Sequence, residues 1–278
     1  MSRARELFEQ YLQQRHAMDE GPVVLGPELR RMTSDHDRQT VQASDSPTAR
    51  PAERPTNREG ERSKGGNWQD GAPEVPGPGI VVAPPTSDLF AADELAGREL
   101  EVVAELVHSC TRCQLSATRT NAVPGEGPRG AKLVVVGEGP GAKEDETGRP
   151  FVGRAGELLT GILKSIGLSR DEVYICNVVK CRPPSNRKPQ HEEIEQCVPY
   201  LHRQLEIIGP KVILAMGGTA AETLLNTKQS LGSLRNMVHS FRGTPLVVTY
   251  HPAALLRNPN WKKPTWDDVR IARQLVDR

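Results

Sequence analysis

Aromatic residues and long apolar runs are scarce in this chain of 278 residues, in which Phe, Trp and Tyr together make up 4%. No apolar run approaches the roughly 20 residues that a membrane-spanning helix needs. The N-terminus, MSRARELFEQYLQQRHAMD, lacks the apolar core of a signal peptide. We therefore predict a cytoplasmic protein that does not associate with a membrane. Because the cytoplasm is reducing, we do not expect its five cysteines to form disulfides.

Core-forming residues are missing from residues 21–86, where Trp68 is the only aromatic residue and Pro, Gly, Ser and Arg are frequent. Such a stretch has too little apolar surface to offset the entropy of ordering it, which predicts a disordered linker. Residues 1–20 before it have the pattern of a short amphipathic helix, either solvated or docked on an unknown partner. The remaining residues, 87–278, are numerous enough to bury a core, and we expect them to form the folded domain.

The charge is distributed unevenly along the chain, although its net value is only +1. Residues 1–89 carry 11 Lys and Arg against 14 Asp and Glu, whereas residues 90–278 carry 25 against 21. A mildly basic domain is compatible with nucleic-acid binding but does not establish it.

Short apolar runs rich in valine alternate with helical segments in the second part of the chain. The runs predict four buried strands, at 132–137 (KLVVVG), 173–179 (VYICNVV), 211–216 (KVILAM) and 246–250 (LVVTY). The helices are expected at 87–107, 156–166, 192–208, 217–225 and 266–276. This alternation predicts an α/β fold with a largely parallel sheet covered on both faces.

The loops that follow the predicted strands contain most of the chemically distinctive side chains. In parallel sheets the site lies beyond the carboxyl ends of the strands, so these loops should converge. The side chains concerned are Glu138, Glu144, Phe151, Asn177 and His251. Their convergence predicts the place of the site and not its activity.

Four cysteines have a spacing that suits a metal site. Cys110 and Cys113 form a C-x-x-C pair, and Cys181 and Cys197 lie far downstream. Four thiolates suffice for one iron–sulfur cluster or one zinc ion, and the spacing does not choose between them. Scattered buried thiols are the alternative. Cys176 lies within a predicted strand, where a thiol usually packs as a small hydrophobic side chain.

Five sequence blocks occur in a characteristic order: CTRCQLSATR, GEGPGAKEDETGRPFVGRAGELL, YICNVVKCRPPSNRKP, EEIEQCVPYL and TYHPAALLR. Over residues 97–278 the chain closely resembles the family 4 uracil-DNA glycosylases, which are base-excision repair enzymes with a 4Fe-4S cluster. The resemblance implies a three-layer α/β/α domain with a four-stranded, mainly parallel sheet. It also implies that the chain flips uracil out of DNA and hydrolyses the N-glycosidic bond, leaving an abasic site. We expect it to act as a monomer.

The resemblance assigns the cluster ligands and the residues that recognise the base. Ligands of the 4Fe-4S cluster, in a structural role, would be Cys110, Cys113, Cys181 and Cys197, and Cys176 matches no ligand position. The amide of Asn177 would pair with uracil N3–H and O4, a pattern that cytosine reverses. The ring of Phe151 would stack on the flipped base, and His251 would donate a hydrogen bond to O2 as negative charge develops there.

Further residues of these blocks have implied or expected contacts with the substrate. Glu138 would either orient the attacking water or stabilise the cationic sugar, and Glu144 would close off the C5 edge of uracil. The backbone at Gly137 and Gly139 would approach the base or a phosphate closely. Expected DNA contacts are a wedge of Leu255, Leu256 and Arg257 and the phosphate-binding side chains Arg182, Arg187 and Lys188.

Two alternative functions have some support in the sequence. Gly137-x-Gly139-x-x-Ala142 fits the fingerprint of a dinucleotide-dependent oxidoreductase. Against it, Pro140 and the acidic stretch AKEDETGRP should postpone the helix, and the second strand ends in Asn177 instead of an acidic residue. The other alternative is a protein that crosslinks to uracil-DNA without turnover. Such relatives carry an inserted basic loop with a reactive histidine, whereas here CRPPSNRKPQH has no insertion and His191 is expected to start a helix.

Overall fold

The four valine-rich runs that the sequence predicted as strands lie next to one another in the sheet. The structure, a computed structural model, describes residues 67–84 and 95–278. Within these ranges six strands form one sheet: β1 Pro78–Val82, β2 Leu133–Gly137, β3 Tyr174–Asn177, β4 Val212–Met216, β5 Val238–Phe241 and β6 Thr244–Thr249. The strand order is β1-β5-β6-β4-β2-β3. All neighbours are parallel except β5 and β6, which form an antiparallel hairpin.

The two strands β1 and β5 extend the predicted sheet from four strands to six. A tight turn at Arg242 and Gly243, both with positive φ, folds β5 back on β6. Strand β1 lies within the stretch that the sequence suggested was a linker, so this expectation is wrong for residues 67–84, where β1 pairs with β5. The remainder of the expected linker and the expected helix at residues 1–20 lie outside the described residues.

Eight α-helices are present in the described ranges, and they surround the sheet. Their bounds are α1 Leu100–Ser109, α2 Ala142–Thr147, α3 Arg154–Ser165, α4 His191–Ile208, α5 Gly218–Leu225, α6 Leu231–Leu234, α7 Pro252–Arg257 and α8 Lys262–Asp277. Two expectations are corrected. Residues 95–99 precede α1 as non-helical chain, so the helix begins later than expected. Helix α2 starts immediately after the GEGPG loop and is not postponed.

The sheet has one apolar core on each face, which confirms the three-layer α/β/α arrangement. Alternate residues of β2 point to opposite sides, as the pleat of a strand requires. Val134 and Val136 pack in the core that includes Leu201 of α4, whereas Leu133 and Val135 pack in the core that includes Leu163 of α3. Within the described ranges, no helix combines the length and the apolar character required to span a bilayer.

Candidate active site

A cavity of about 740 Å³ lies at the carboxyl ends of β2, β3, β4 and β6. Its lining includes all five of the distinctive side chains that the strand-end loops were predicted to bring together: Glu138, Glu144, Phe151, Asn177 and His251. The predicted convergence is therefore confirmed. It follows from topology, because parallel strands deliver every loop after their carboxyl ends to the same edge of the sheet.

Asn177, the last residue of β3, presents a buried amide oxygen without a partner among the described residues. Its side-chain Oδ1 has no hydrogen-bond partner among the described residues, although the side chain is buried. Its main-chain oxygen accepts a hydrogen bond from Lys180 Nζ at 2.8 Å. An unpaired buried polar atom costs roughly 1–3 kcal/mol. The amide is therefore available to a ligand that supplies the missing hydrogen bond.

Gly137, at the end of β2, lets the Asn177 amide and the Phe151 ring approach the sheet closely. A Cβ atom at this position would lie 2.4 Å from Asn177 Oδ1 and 2.6 Å from Phe151 Cζ. The Phe151 ring in turn lies 5.4 Å from the His251 ring, centroid to centroid. An amide, an aromatic ring and an imidazole thus meet at one end of the cavity. This combination suits a planar polar ring as ligand.

Arg170, which no sequence block contained, fixes the loop that carries Phe151. Its guanidinium donates to the main-chain oxygens of Pro150 and Phe151, both at 2.9 Å. Glu126 lies 3.6 Å from the same guanidinium. Phe151 has a φ of 52°, which is unusual for a residue with a side chain, so the clamp holds a backbone conformation that is otherwise unfavourable. The sequence offered no local signal for this contact, because Arg170 lies between α3 and β3 and its partners belong to a different loop.

Glu144 lines the cavity, but its carboxylate is engaged by backbone N–H groups. Oε1 accepts from the amides of Val152 and Gly153, both at 2.9 Å, and Oε2 accepts from Gly141 at 3.1 Å. These bonds join the loop before α2 to the loop before α3. In this structure Glu144 therefore shapes the wall of the cavity through the backbone.

His251 is a neutral imidazole with a defined tautomer. Burial lowers its pKa to about 4, so the ring is uncharged near neutral pH. Its Nδ1 accepts a hydrogen bond from the amide of Ala253 at 3.2 Å, at the N-terminus of α7. The proton of the neutral ring is therefore on Nε2, which serves as a hydrogen-bond donor.

Glu138, the first residue after β2, is held by the hydroxyl of Thr219. Thr219 Oγ1 donates to Glu138 Oε2, and Thr219 lies in the first turn of α5, directly after β4. Sequence reasoning missed Thr219, although its place just beyond a strand end was a usable signal. The bond orients one carboxylate oxygen in the half-buried loop.

The four cysteines that the sequence grouped together surround a second, smaller cavity. Its lining includes Cys110, Cys113, Cys181 and Cys197 and not Cys176, which is buried in the core of the sheet. Arg119 Nη1 donates to Cys181 Sγ at 3.0 Å, and the amide of Lys180 donates to Cys197 Sγ at 3.2 Å. Among the described residues, no three Cys, His, Asp or Glu side chains are grouped as for a single metal ion.

The donor set, four thiols that line one space, fits a thiolate-bound metal group. The thiols approach one shared space from the turn after α1, the loop after β3 and helix α4. Burial raises the pKa of Cys197 to about 12, so a bound cation is needed to make it a thiolate. The donors on Arg119 and Lys180 reduce the cost of assembling thiolates there.

Lys180 connects the two cavities and was not anticipated. The side chain is fully buried, and its Nζ donates to the oxygen of Asn177 and, at 2.6 Å, to Gln204 Oε1. Its own amide donates to Cys197. The residue that ends β3 is therefore tied to the cysteine site through one residue, by the side chain of Lys180 on one side and its main-chain amide on the other.

The expected wedge is only partly exposed. Leu255 is 1% exposed and belongs to the interior, so its expected insertion into DNA is wrong. Leu256 is 42% exposed, and the exposed Arg257 lines the cavity mouth. Helix α7 explains the difference, since successive residues of a helix point about 100° apart and only one of two adjacent leucines can face outward.

The three expected phosphate-binding side chains already have protein partners. Arg187 pairs with the buried Glu193 through two hydrogen bonds, at 2.6 and 2.9 Å. Lys188 Nζ lies 2.8 Å from Glu222 at the surface, and Arg182 donates to Asn186 Oδ1 at 2.8 Å. Arg187 also lines the cavity. Contact of these three residues with DNA remains a prediction.

The dinucleotide fingerprint occupies the expected turn between β2 and α2. The space beside its glycines, however, is taken up by side chains of the protein. Space beside Gly137 is filled by Asn177 and Phe151, and a Cβ at Gly139 would lie 2.7 Å from Val179. The argument from a postponed helix was wrong, but the strand does end in Asn177. His191 is the first residue of α4, as expected.

The sequence of this chain is similar to those of known proteins. Residues 124–272 match the family described as the Uracil DNA glycosylase superfamily. The chain is 46% identical to a Type-4 uracil-DNA glycosylase of Thermotoga maritima, over 68% of this chain and 99% of the relative. A Type-4 uracil-DNA glycosylase of Sulfurisphaera tokodaii is also 46% identical, over 64% and 84%. A Type-5 uracil-DNA glycosylase of Pyrobaculum aerophilum is 33% identical, over 48% and 66%.

Proposed function

The chain belongs to the uracil DNA glycosylase superfamily, and from that premise we propose that it removes uracil from DNA by hydrolysing the N-glycosidic bond. The observation that carries the proposal is the buried Asn177 Oδ1, which has no partner among the described residues, beside the Phe151 ring and the neutral His251. A flipped base would supply the hydrogen bond that this oxygen lacks.

Recognition of uracil rests on the edge of the base. Uracil presents a donor at N3 and an acceptor at O4, which the oxygen and nitrogen of the Asn177 amide match. Cytosine presents the reverse pattern and would leave both groups unpaired. Phe151, held by Arg170, supplies a ring on which the base stacks. Gly137 permits these two side chains to lie against the same strand end.

The reaction breaks the bond between the sugar and N1 of uracil, and the electron pair moves onto the base. His251 donates from Nε2 to O2, where the negative charge accumulates, and the neutral ring keeps its proton. Glu138 carries a carboxylate that stabilises the cationic sugar. Because Thr219 occupies Oε2, we assign the orientation of the attacking water to Oε1. The water adds to the sugar carbon and releases a proton to the solvent, and the departing uracil anion takes up a proton from the solvent. The products are an abasic site and free uracil.

The four thiols at the second cavity are proposed to hold a 4Fe-4S cluster. When bound, the cluster would crosslink three segments of the chain and supply no bond-making step. Arg119 and the amide of Lys180 would donate to the ligand sulfurs. Through the Lys180 side chain the same segment supports the main chain at Asn177. The cluster region therefore stabilises the strand end that reads the base.

A uracil-containing oligonucleotide tests the proposal. The purified full chain should release free uracil and leave a site that alkali cleaves, with many turnovers per protein. The same oligonucleotide with thymine is the control. Absence of uracil release would overturn the proposal. A protein–DNA adduct that survives denaturation, with no turnover, would instead support the crosslinking alternative.

A further inference from the structure

Trp261 is an exposed aromatic residue at the mouth of the active-site cavity. It ends the short 3-10 turn Pro259–Trp261, which joins α7 to α8. Its side chain is 36% exposed, and it lines the same cavity as Asn177 and His251. Neither the catalytic assignment nor the recognition of uracil uses this residue.

The indole of Trp261 is held by a stack of side chains against one of its faces. It stacks on the Tyr250 ring with centroids 4.6 Å apart and planes 6° from parallel. The Arg235 guanidinium lies 4.6 Å from the centre of the Tyr250 ring. Arg235 is itself fixed by two hydrogen bonds to the buried Asp268, at 2.7 and 3.0 Å. A ring fixed in this way loses little conformational entropy when a ligand stacks on it.

The neighbouring surface is suited to a DNA strand. Arg257 precedes the indole in the chain, and Lys262 and Lys263 follow it, all of them exposed. Lys263 lies 3.3 Å from Asp267. The exposed Leu256 lies on the preceding helix α7. Cations flanking an aromatic face are the usual composition of a surface that follows a nucleic-acid backbone and stacks its bases.

We propose that Trp261 is a stacking platform for an unpaired base that neighbours the extruded uridine, and that it favours single-stranded over duplex substrate. The inference rests on the proposed function, since the base read by Asn177 and the base on Trp261 would be neighbours in one strand entering one cavity. In a duplex the neighbouring base is held by its pairing partner, so it would have to break that base pair to reach the indole. Bases of a single strand have free faces, so the platform benefits that substrate most.

Binding measurements test the platform without interference from catalysis. The probe is an oligonucleotide with one 2′-fluoro-deoxyuridine, which resists cleavage because the fluorine disfavours a cationic sugar, used single-stranded and as a duplex. Loss of one stacked base should raise the Kd of Trp261→Ala for the single strand about tenfold, and for the duplex about twofold or less. Trp261→Phe should restore most of the affinity. Trp266→Phe is the matched control, because Trp266 lies outside the cavity lining, and its Kd should equal that of the unaltered chain.

Fluorescence locates the contact directly. In the variant Trp68→Phe/Trp266→Phe, Trp261 is the only tryptophan, and the single strand should quench its emission. Unchanged affinity of Trp261→Ala, an equal loss on single strand and duplex, or absence of quenching would each overturn the inference. Release of uracil by the unaltered chain is a separate readout. If uracil is released while these results are negative, the proposed function stands and the platform does not.

Discussion

Asn177 ends β3 and His251 follows β6, and the two side chains act on different edges of the proposed ligand, so their contributions can be separated by mutation. Asn177 would contact the ligand through an amide whose oxygen has no partner among the described residues. His251 contributes a single N–H whose direction follows from its bond to Ala253. The former should matter for base choice and the latter for rate.

Asn177→Ala should lower kcat/KM for uracil about 5- to 150-fold, which corresponds to roughly 1–3 kcal/mol for an edge left unpaired. Asn177→Asp should lose uracil activity and gain weak activity on cytosine, since a carboxylate repels O4 but accepts from the cytosine amino group. Single-turnover excision of U, C and T opposite G measures both. Near-normal uracil rates in the two variants would place the base elsewhere.

His251→Ala should slow single-turnover excision about 10²- to 10³-fold, the usual cost of one donor at a developing anion. DNA affinity should change much less, because the bond strengthens only as charge reaches O2. Nitrogen NMR of the histidines should show a neutral ring protonated on Nε2 at pH 7, with protonation near pH 4. A ring that titrates near pH 6.5 would contradict this assignment.

At the scale of elements, the loop before α3 is held in place by two side chains from outside the loop, Arg170 and Glu144. Arg170 satisfies two carbonyls, and Glu144 satisfies two amides of adjacent residues. The Phe151 ring depends on both. Arg170 and Glu144 can thus affect catalysis indirectly, through the position of the Phe151 ring.

Arg170→Met should therefore lower kcat/KM about tenfold and destabilise the protein by roughly 1–3 kcal/mol, because two carbonyls lose their partners. Arg149→Met is the matched control. Arg149 pairs with the same Glu126, but its side chain is 63% exposed, against 17% for Arg170. An exposed pair contributes about 0–1 kcal/mol, so this variant should stay close to the unaltered protein. Urea unfolding and steady-state kinetics distinguish the two, and equal effects would argue against the clamp.

Strand β1 depends on one glycine for its contact with β5. A Cβ at Gly79 would lie 2.4 Å from His239 Nδ1, and that nitrogen accepts from the amide of Ile80 at 2.9 Å. Gly79→Ala should break this contact and lower the free energy of unfolding by roughly 1–3 kcal/mol. Gly77→Ala, whose Cβ would meet nothing within 4 Å, should change it by about 0.5 kcal/mol or less. Urea titrations of both variants check the comparison, and equal stability would show that β1 contributes nothing.

At the scale of the whole molecule, the cysteine site joins segments from α1, β3 and α4 into one unit. Cys197→Ser should remove the visible absorbance and the iron, whereas Cys176→Ser should retain both, because Cys176 lies in the core of the sheet. Iron analysis together with the absorption spectrum measures this. Zinc in place of iron, or colour that survives Cys197→Ser, would contradict the proposed ligand set.

The local sequence determined strands β2, β3, β4 and β6 and the place of the site. A strand covered by helices on both faces must be apolar at every position, and a run such as LVVVG shows this without knowledge of its neighbours. Parallel strands deliver their following loops to one edge, so Glu138, Asn177 and His251 could be brought together from their positions alone. The family resemblance added their roles.

Only the tertiary structure decided the features that depend on partners distant in the chain. Strand β1 looks like linker because its stabilising neighbour β5 lies more than 150 residues away. Leu255 and Leu256 have the same local chemistry, and only the packing of α7 buries one and exposes the other. Arg170, Thr219 and Lys180 act through hydrogen bonds to other segments, and such contacts leave no periodicity in the sequence. The local pattern of apolar residues indicates which of them are buried, whereas hydrogen bonds between distant segments form only when the chain folds.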